Sequence, residues 1–189
     1  MSTAVFSFGN VLMRDDAFGP TVLATLLAEY VLPEDVEAID LGTPGFDLHP
    51  HLSGHDDIIL VDTVRGKDGA GGVRTYDMEA IRKHPPGPRT NPHDPGLKEA
   101  LQAMEFEGTL PSTLCLVATV PESTEMEPGL TAPVQSAVEL AVEAVVRELR
   151  ALGHEVTLRS PRETPDLWWL PGAPRATVDQ PALGGSAAR

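Results

Sequence analysis

Cysteine, positive charge and long apolar runs are all scarce in this sequence, and each scarcity removes a class of function. The single cysteine, Cys115, lies in the apolar run Leu114-Cys115-Leu116-Val117. A small thiol packs there as a hydrophobe, so a disulfide framework is excluded and Cys115 is expected to be core rather than nucleophile. Lys and Arg number 14 against 28 Asp and Glu, a formal net charge of -14. Such a surface repels a phosphate backbone, and nucleic acid is not an expected partner. The longest apolar runs, Ile58 to Val61 and Leu114 to Ala118, fall far below the roughly 20 residues that a membrane helix needs. Nor does the N-terminus join a basic stretch to an apolar one and a small-residue cleavage site, so a cytoplasmic location is expected. Two motifs are missing as well. Phe8-Gly9-Asn10 lacks the three spaced glycines of a dinucleotide-binding turn, and His154-Glu155 does not complete the His-Glu-Xaa-Xaa-His helix of a metalloprotease.

What is present reads as one α/β domain over residues 1–159, followed by a tail. With 189 residues and 41% hydrophobic content, the chain can bury a sizeable core. Strand signals at Thr3 to Phe8, Val36 to Leu41, Ile58 to Asp62, Val73 to Tyr76 and Thr113 to Thr119 alternate with helix signals after Pro20, at Phe46 to Gly54, at Leu97 to Phe106 and at Ala132 to Leu152. Glu155 to Leu158 reads as a last edge strand. The nearly continuous apolar run Ile58 to Val61 suits a strand covered on both faces. The expectation is therefore a three-layer α/β/α sandwich around a mainly parallel, twisted sheet. His84 to Gly96 packs five prolines into a long loop. Residues 160–189 are rich in Pro, Gly and Ala without periodicity and are expected to stay disordered, with Trp168 and Trp169 as the only aromatic pair there.

In parallel sheets, ligands bind outside the carboxyl ends of the strands. Asp15 and Asp16 follow the first strand, Asp40 ends the second, Asp62 ends the third, and His93 stands in the proline-rich loop. An aspartate ending a buried strand needs a positive or hydrogen-bonding partner. Asp16, Asp62 and His93 could form a three-ligand metal shell with a position left open for water or substrate. On spacing alone, capping and surface roles explain the same residues. His49, His51 and His55 form a local cluster that reads as a solvated helix face rather than a second metal site.

These motifs, in their order, resemble those of the hydrogenase maturation endopeptidases. The family's strand, Gly-Xaa-Gly-Asn turn and acidic pair resemble Ser7-Phe8-Gly9-Asn10 through Asp15-Asp16 and Gly19, with Ser7 standing where the family has its first glycine. Asp40-Leu41-Gly42-Thr43-Pro44-Gly45, the strand-ending Asp62, Asn91-Pro92-His93 and Val120-Pro121-Glu122-Ser123 are similar to its later segments. The resemblance implies metal ligation by Asp16, Asp62 and His93, with Gly9, Asn10, Gly42, Thr43 and Gly45 as the supporting loops. It implies an endopeptidase that removes the C-terminal extension of a nickel-loaded precursor of a nickel-iron hydrogenase large subunit, with the divalent metal, nickel, supplied by that substrate. Asp40 is the candidate general base or orienter, and a monomer is expected. Two other readings use the same residues. A receiver-like phosphoacceptor domain is opposed by the spacing of Asp15-Asp16 from strand one and by the missing lysine at Thr119-Val120-Pro121. A non-catalytic metallochaperone fits the ligands equally well.

Overall fold

A computed structural model describes residues 2–44, 48–66, 69–83 and 97–172. Among the described residues, seven strands and five α-helices follow one another in the order β1 (Thr3–Ser7), α1 (Phe18–Glu29), β2 (Tyr30–Val31), β3 (Val36–Asp40), α2 (His49–Leu52), β4 (Asp57–Thr63), β5 (Val73–Asp77), α3 (Met78–Lys83), α4 (Leu97–Glu107), β6 (Thr113–Thr119), α5 (Ala132–Ala151) and β7 (Thr157–Leu158). The main sheet has the order β3-β1-β4-β6-β5, parallel except for β5, which runs antiparallel along β6. The expected α/β/α sandwich is therefore the observed one.

Side-chain alternation on the central strands divides the core in two. Val5, Ile59, Val61, Cys115 and Val117 meet α1 and α5, whereas Phe6, Ile58, Leu60, Leu114 and Leu116 meet α2, α3 and α4. β4 has both faces covered, which is why its sequence is an apolar run instead of an alternating one. On α5 the stripe Val134, Val138, Val142, Val145 and Leu149 is buried, with Pro133 in its first turn and Gly153 just beyond its end. Each such side chain contributes about 1.5 to 3 kcal/mol of burial, so a charge at Val142 or Val145 would break this layer.

Three expectations change. The last edge strand does not join the main sheet: β7 pairs antiparallel with β2, whose two residues, like those of β7, are too few to show any period. α3 is a short helix that the sequence pattern does not announce. The third concerns the described part of the tail. Residues 160–172 have a definite course along α1, with the Glu163 N–H donating to Ala28 O at 2.9 Å and Arg162 paired with Glu29 at 3.1 Å. The physical reason lies in α1, where Ala24, Leu27 and Ala28 stand outside the core cluster and carry apolar surface that needs a cover. Residues 173–189 lie outside the described residues.

Candidate functional site

The turn between β1 and α1 is built on close backbone approaches. Gly9 has φ +141°, and a Cβ there would stand 1.8 Å from the Asp16 carbonyl oxygen. Only glycine fits. Gly19, in the first turn of α1, is pressed as tightly, since a Cβ would meet the carbonyl oxygens of Phe8 at 2.2 Å and Val61 at 2.7 Å. The start of α1 is thus seated directly on the carboxyl ends of β1 and β4. Between these glycines, Arg14–Ala17 forms a single 3-10 turn that presents the acidic pair.

Asp15 and Asp16 face different surroundings. Asp15 is fully buried, and its carboxylate accepts the N–H groups of Glu122, Ser123 and Thr131 at 2.8, 3.0 and 2.7 Å and the Thr131 hydroxyl at 2.9 Å. It pins the loop after β6 and the start of α5. The Arg14 N–H donates to Glu127 O at 2.9 Å, and the Arg14 guanidinium pairs with Glu127 at 2.9 Å. Those contacts hold Arg14 at φ +43°, a strained conformation for a side-chain-bearing residue. Neither aspartate caps α1, contrary to the capping role that their position suggests.

Asp16 is half-buried and turned toward β4. Its Oδ2 accepts the Asn10 N–H at 2.8 Å, and its Oδ1 accepts the Thr63 hydroxyl at 3.5 Å, at the outer limit of a hydrogen bond. Asp62, next along β4, is 4% exposed, and its Oδ1 accepts the Thr63 N–H at 2.6 Å. Thr63 therefore touches both carboxylates and brings them to one strand end. A weakly engaged carboxylate oxygen beside a buried second carboxylate suits a hard or borderline cation. Among the described residues, no three His, Cys, Asp or Glu side chains gather into a metal shell. The expected third ligand, His93, lies in the stretch 84–96, outside the described residues, and so does Gly45 in the stretch 45–47.

Asp40 sits at the carboxyl end of β3, beyond β1 from Asp62. Its Oδ1 accepts the Ser7 hydroxyl at 2.8 Å and the Gly42 N–H at 3.0 Å. The Gly9 N–H in turn donates to Gly42 O at 2.9 Å, so the loops of Gly9-Asn10 and Gly42-Thr43 are stitched together. Ser7 is the residue where this chain departs from the motif of its family resemblance, and its hydroxyl orients Asp40. Sequence reasoning missed Thr63, for which adjacency to Asp62 was the available signal, and noted Ser7 only as a departure from the motif, not as a partner of Asp40.

The histidine cluster disperses. His49 pairs with Glu107 at 2.9 Å, His55 bonds Ser2 at 3.1 Å and packs edge-on to Phe6, and His51 is exposed. Burial, with Glu148 adding to it, pushes the Cys115 thiol up to about 12, so it is no nucleophile near neutrality.

Residues 20–148 match the family model described as hydrogenase maturation protease, HycI. The chain belongs to the hydrogenase maturation protease family. The hydrogenase 2 maturation protease of Escherichia coli K12 is 35% identical over 163 residues, spanning 84% of this chain and 97% of that protein. The hydrogenase expression/formation protein HupD of Rhizobium leguminosarum is 31% identical over 156 residues, 82% of this chain and 77% of that protein. The structure of the hydrogenase maturating endopeptidase HybD from E. coli aligns with a TM-score of 0.79 at 34% identity, covering 85% of this chain and 99% of that one. Within this maturation protease fold, the motif Val120-Pro121-Glu122-Ser123 has a physical explanation: the Glu122 and Ser123 N–H groups donate to the Asp15 carboxylate.

Proposed function

We propose that this maturation protease makes a single hydrolytic cut that removes the C-terminal extension of a nickel-loaded precursor of a nickel-iron hydrogenase large subunit. The observation that carries the reading is the convergence of Asp16 and Asp62 on the Asp62-Thr63 end of β4 in a chain of this family. Nickel enters as part of the substrate, read by Asp16 and Asp62 together with His93. A metal so held polarises a carbonyl or lowers the pKa of a bound water. The chain's own residues supply position. The Asn10 N–H fixes Oδ2 of Asp16 and leaves Oδ1, only weakly engaged by the Thr63 hydroxyl, turned to the metal, and Asp15 anchors the turn that carries Asp16. Asp40, held by Ser7 and Gly42, orients the neighbouring loop, and proton transfer by Asp40 is the alternative assignment. No helix among the described residues is long and apolar enough to cross a membrane.

Incubation of the purified protein with a candidate precursor, followed by mass spectrometry of the released C-terminal peptide, tests this reading. Asp16→Asn, Asp62→Asn and His93→Ala should each abolish release while retaining the far-ultraviolet circular dichroism of the parent. Wild-type cleavage by any one of them removes that residue from the site, and metal binding without any peptide release by the parent favours the metallochaperone.

A further inference from the structure

The described part of the tail forms one wall of a groove. A cavity of about 340 Å³ lies between α1 and residues 163–169, floored by Leu23, Ala24 and Leu27 and walled by Trp168 and Trp169. It extends along α1 from Ala28 to Pro20 and reaches Asp40. Those eight helical steps span roughly 12 Å, which is room for about four residues of extended peptide. Leu27 and Trp168 remain 39% and 63% exposed, so the tail covers the apolar strip only in part.

The polar lining has one sign. Asp40, Glu163 and Asp166 border the groove, and among the described residues no Lys, Arg or His lines it. Glu163 is neutralised by Arg159 at 3.1 Å, but among the described residues no cation pairs with Asp40 or Asp166. Trp168 and Trp169 meet edge to face at 5.8 Å and offer ring faces that attract cations. At its Asp40 end the groove is wired to the site by the bonds from Gly42 to Asp40, from Gly9 to Gly42 and from Asn10 to Asp16.

We infer that this groove binds an extended segment of the substrate protein in which apolar residues alternate with Lys or Arg, and that it holds this segment while the cut is made beside Asp16 and Asp62. The assignment rests on the protease reading above. Apolar side chains lie on the α1 floor, basic ones reach Asp166 and Asp40, and the net charge of -14 draws such a segment in. The groove adds binding energy remote from the scissile bond, which appears chiefly in KM.

Trp168 and Trp169 are the only tryptophans in the chain, so intrinsic fluorescence reports on the groove directly. Titration of the full-length protein with a hexapeptide of alternating Lys and Leu should give a saturable change that weakens as salt is added. A Glu and Leu hexapeptide should give none. The double substitution Asp166→Lys, Thr164→Lys, confined to the exposed rim, should weaken binding at least tenfold and raise KM for precursor at least fivefold, with kcat within twofold. Equal response to both peptides, or unchanged affinity and KM in the double variant, overturns the groove while leaving the protease reading intact. Failure of the parent to cut any precursor, with peptide binding retained, overturns the protease reading and the substrate assignment with it. Two further outcomes reassign the occupant and so overturn the proposal. One is a dimer in sedimentation that the double variant abolishes; the other is peptide binding at least tenfold tighter in a chain ending at Gly172.

Discussion

Asp15 and Asp16 are neighbours with separate duties, and the difference is set by what donates to each. Asp15 is surrounded by four donors in a buried pocket, so its removal strands three backbone N–H groups. Asp15→Ala should therefore lower unfolding free energy by about 3 kcal/mol or more in urea titration, since each orphaned buried donor costs roughly 1 to 3 kcal/mol. Asp16→Asn keeps an acceptor for Asn10 and should cost less than about 1 kcal/mol in the same measurement. Similar losses for the two would contradict the division. Cys115 gives a second residue-scale test. Its thiol titrates near 9.0 when free and is pushed by burial to about 12 in the fold. Below pH 9 both states hold the proton and its full contribution is present. Above that the unfolded chain releases the proton first, so stability drains away as pH rises toward 12. Cys115→Val should lose less stability than the parent between pH 9 and 11, measured by denaturant unfolding, and identical slopes would show that the thiol is not shielded. The sequence made Asp16 and Asp62 legible through motif order and the bland role of Cys115 through its apolar run. It could not display Asp15's role, because the partners lie 107 to 116 positions away.

Elements with a full period were readable, and those without one were not. β4, β6 and α5 fall where their apolar runs and stripe place them, because each buries a face long enough to repeat. β2 and β7, with two residues apiece, carry no repeat, and the antiparallel direction of β5 is set by its pairing with β6. The described part of the tail, residues 160–172, follows a course that is not legible in the sequence for a related reason. Its composition is that of a disordered segment, yet the apolar strip it covers belongs to α1, so the driving force is written in another part of the chain. Deletion of residues 161–189 should expose that strip and remove the Arg162 pair and the Glu163 hydrogen bond. A loss of about 2 kcal/mol would lower Tm by roughly 4 to 8 °C for a chain of this size. A Tm within about 1 °C of the parent would show that residues 161–172 lie on α1 without stabilising it.

At the scale of the whole molecule, the parallel sheet gathers the ends of β1, β3 and β4 on one side, and the loops after β1 and β3 and the last residue of β4 meet there through the Gly9–Gly42 and Thr63–Asp16 hydrogen bonds. Two carboxylates and an imidazole accept several divalent ions, so affinity alone cannot select nickel in a cell. Selectivity follows instead if nickel is already seated in the precursor and positions the scissile bond against Asp16 and Asp62. The direct test mixes the protein, stripped of metal, with precursor that is nickel-loaded or nickel-free and follows the released C-terminal peptide by mass. Peptide should appear from the nickel-loaded precursor alone, even with protease in excess, and Asp16→Asn should abolish it. Equal release from both precursors, or undiminished release by Asp16→Asn, would contradict the account.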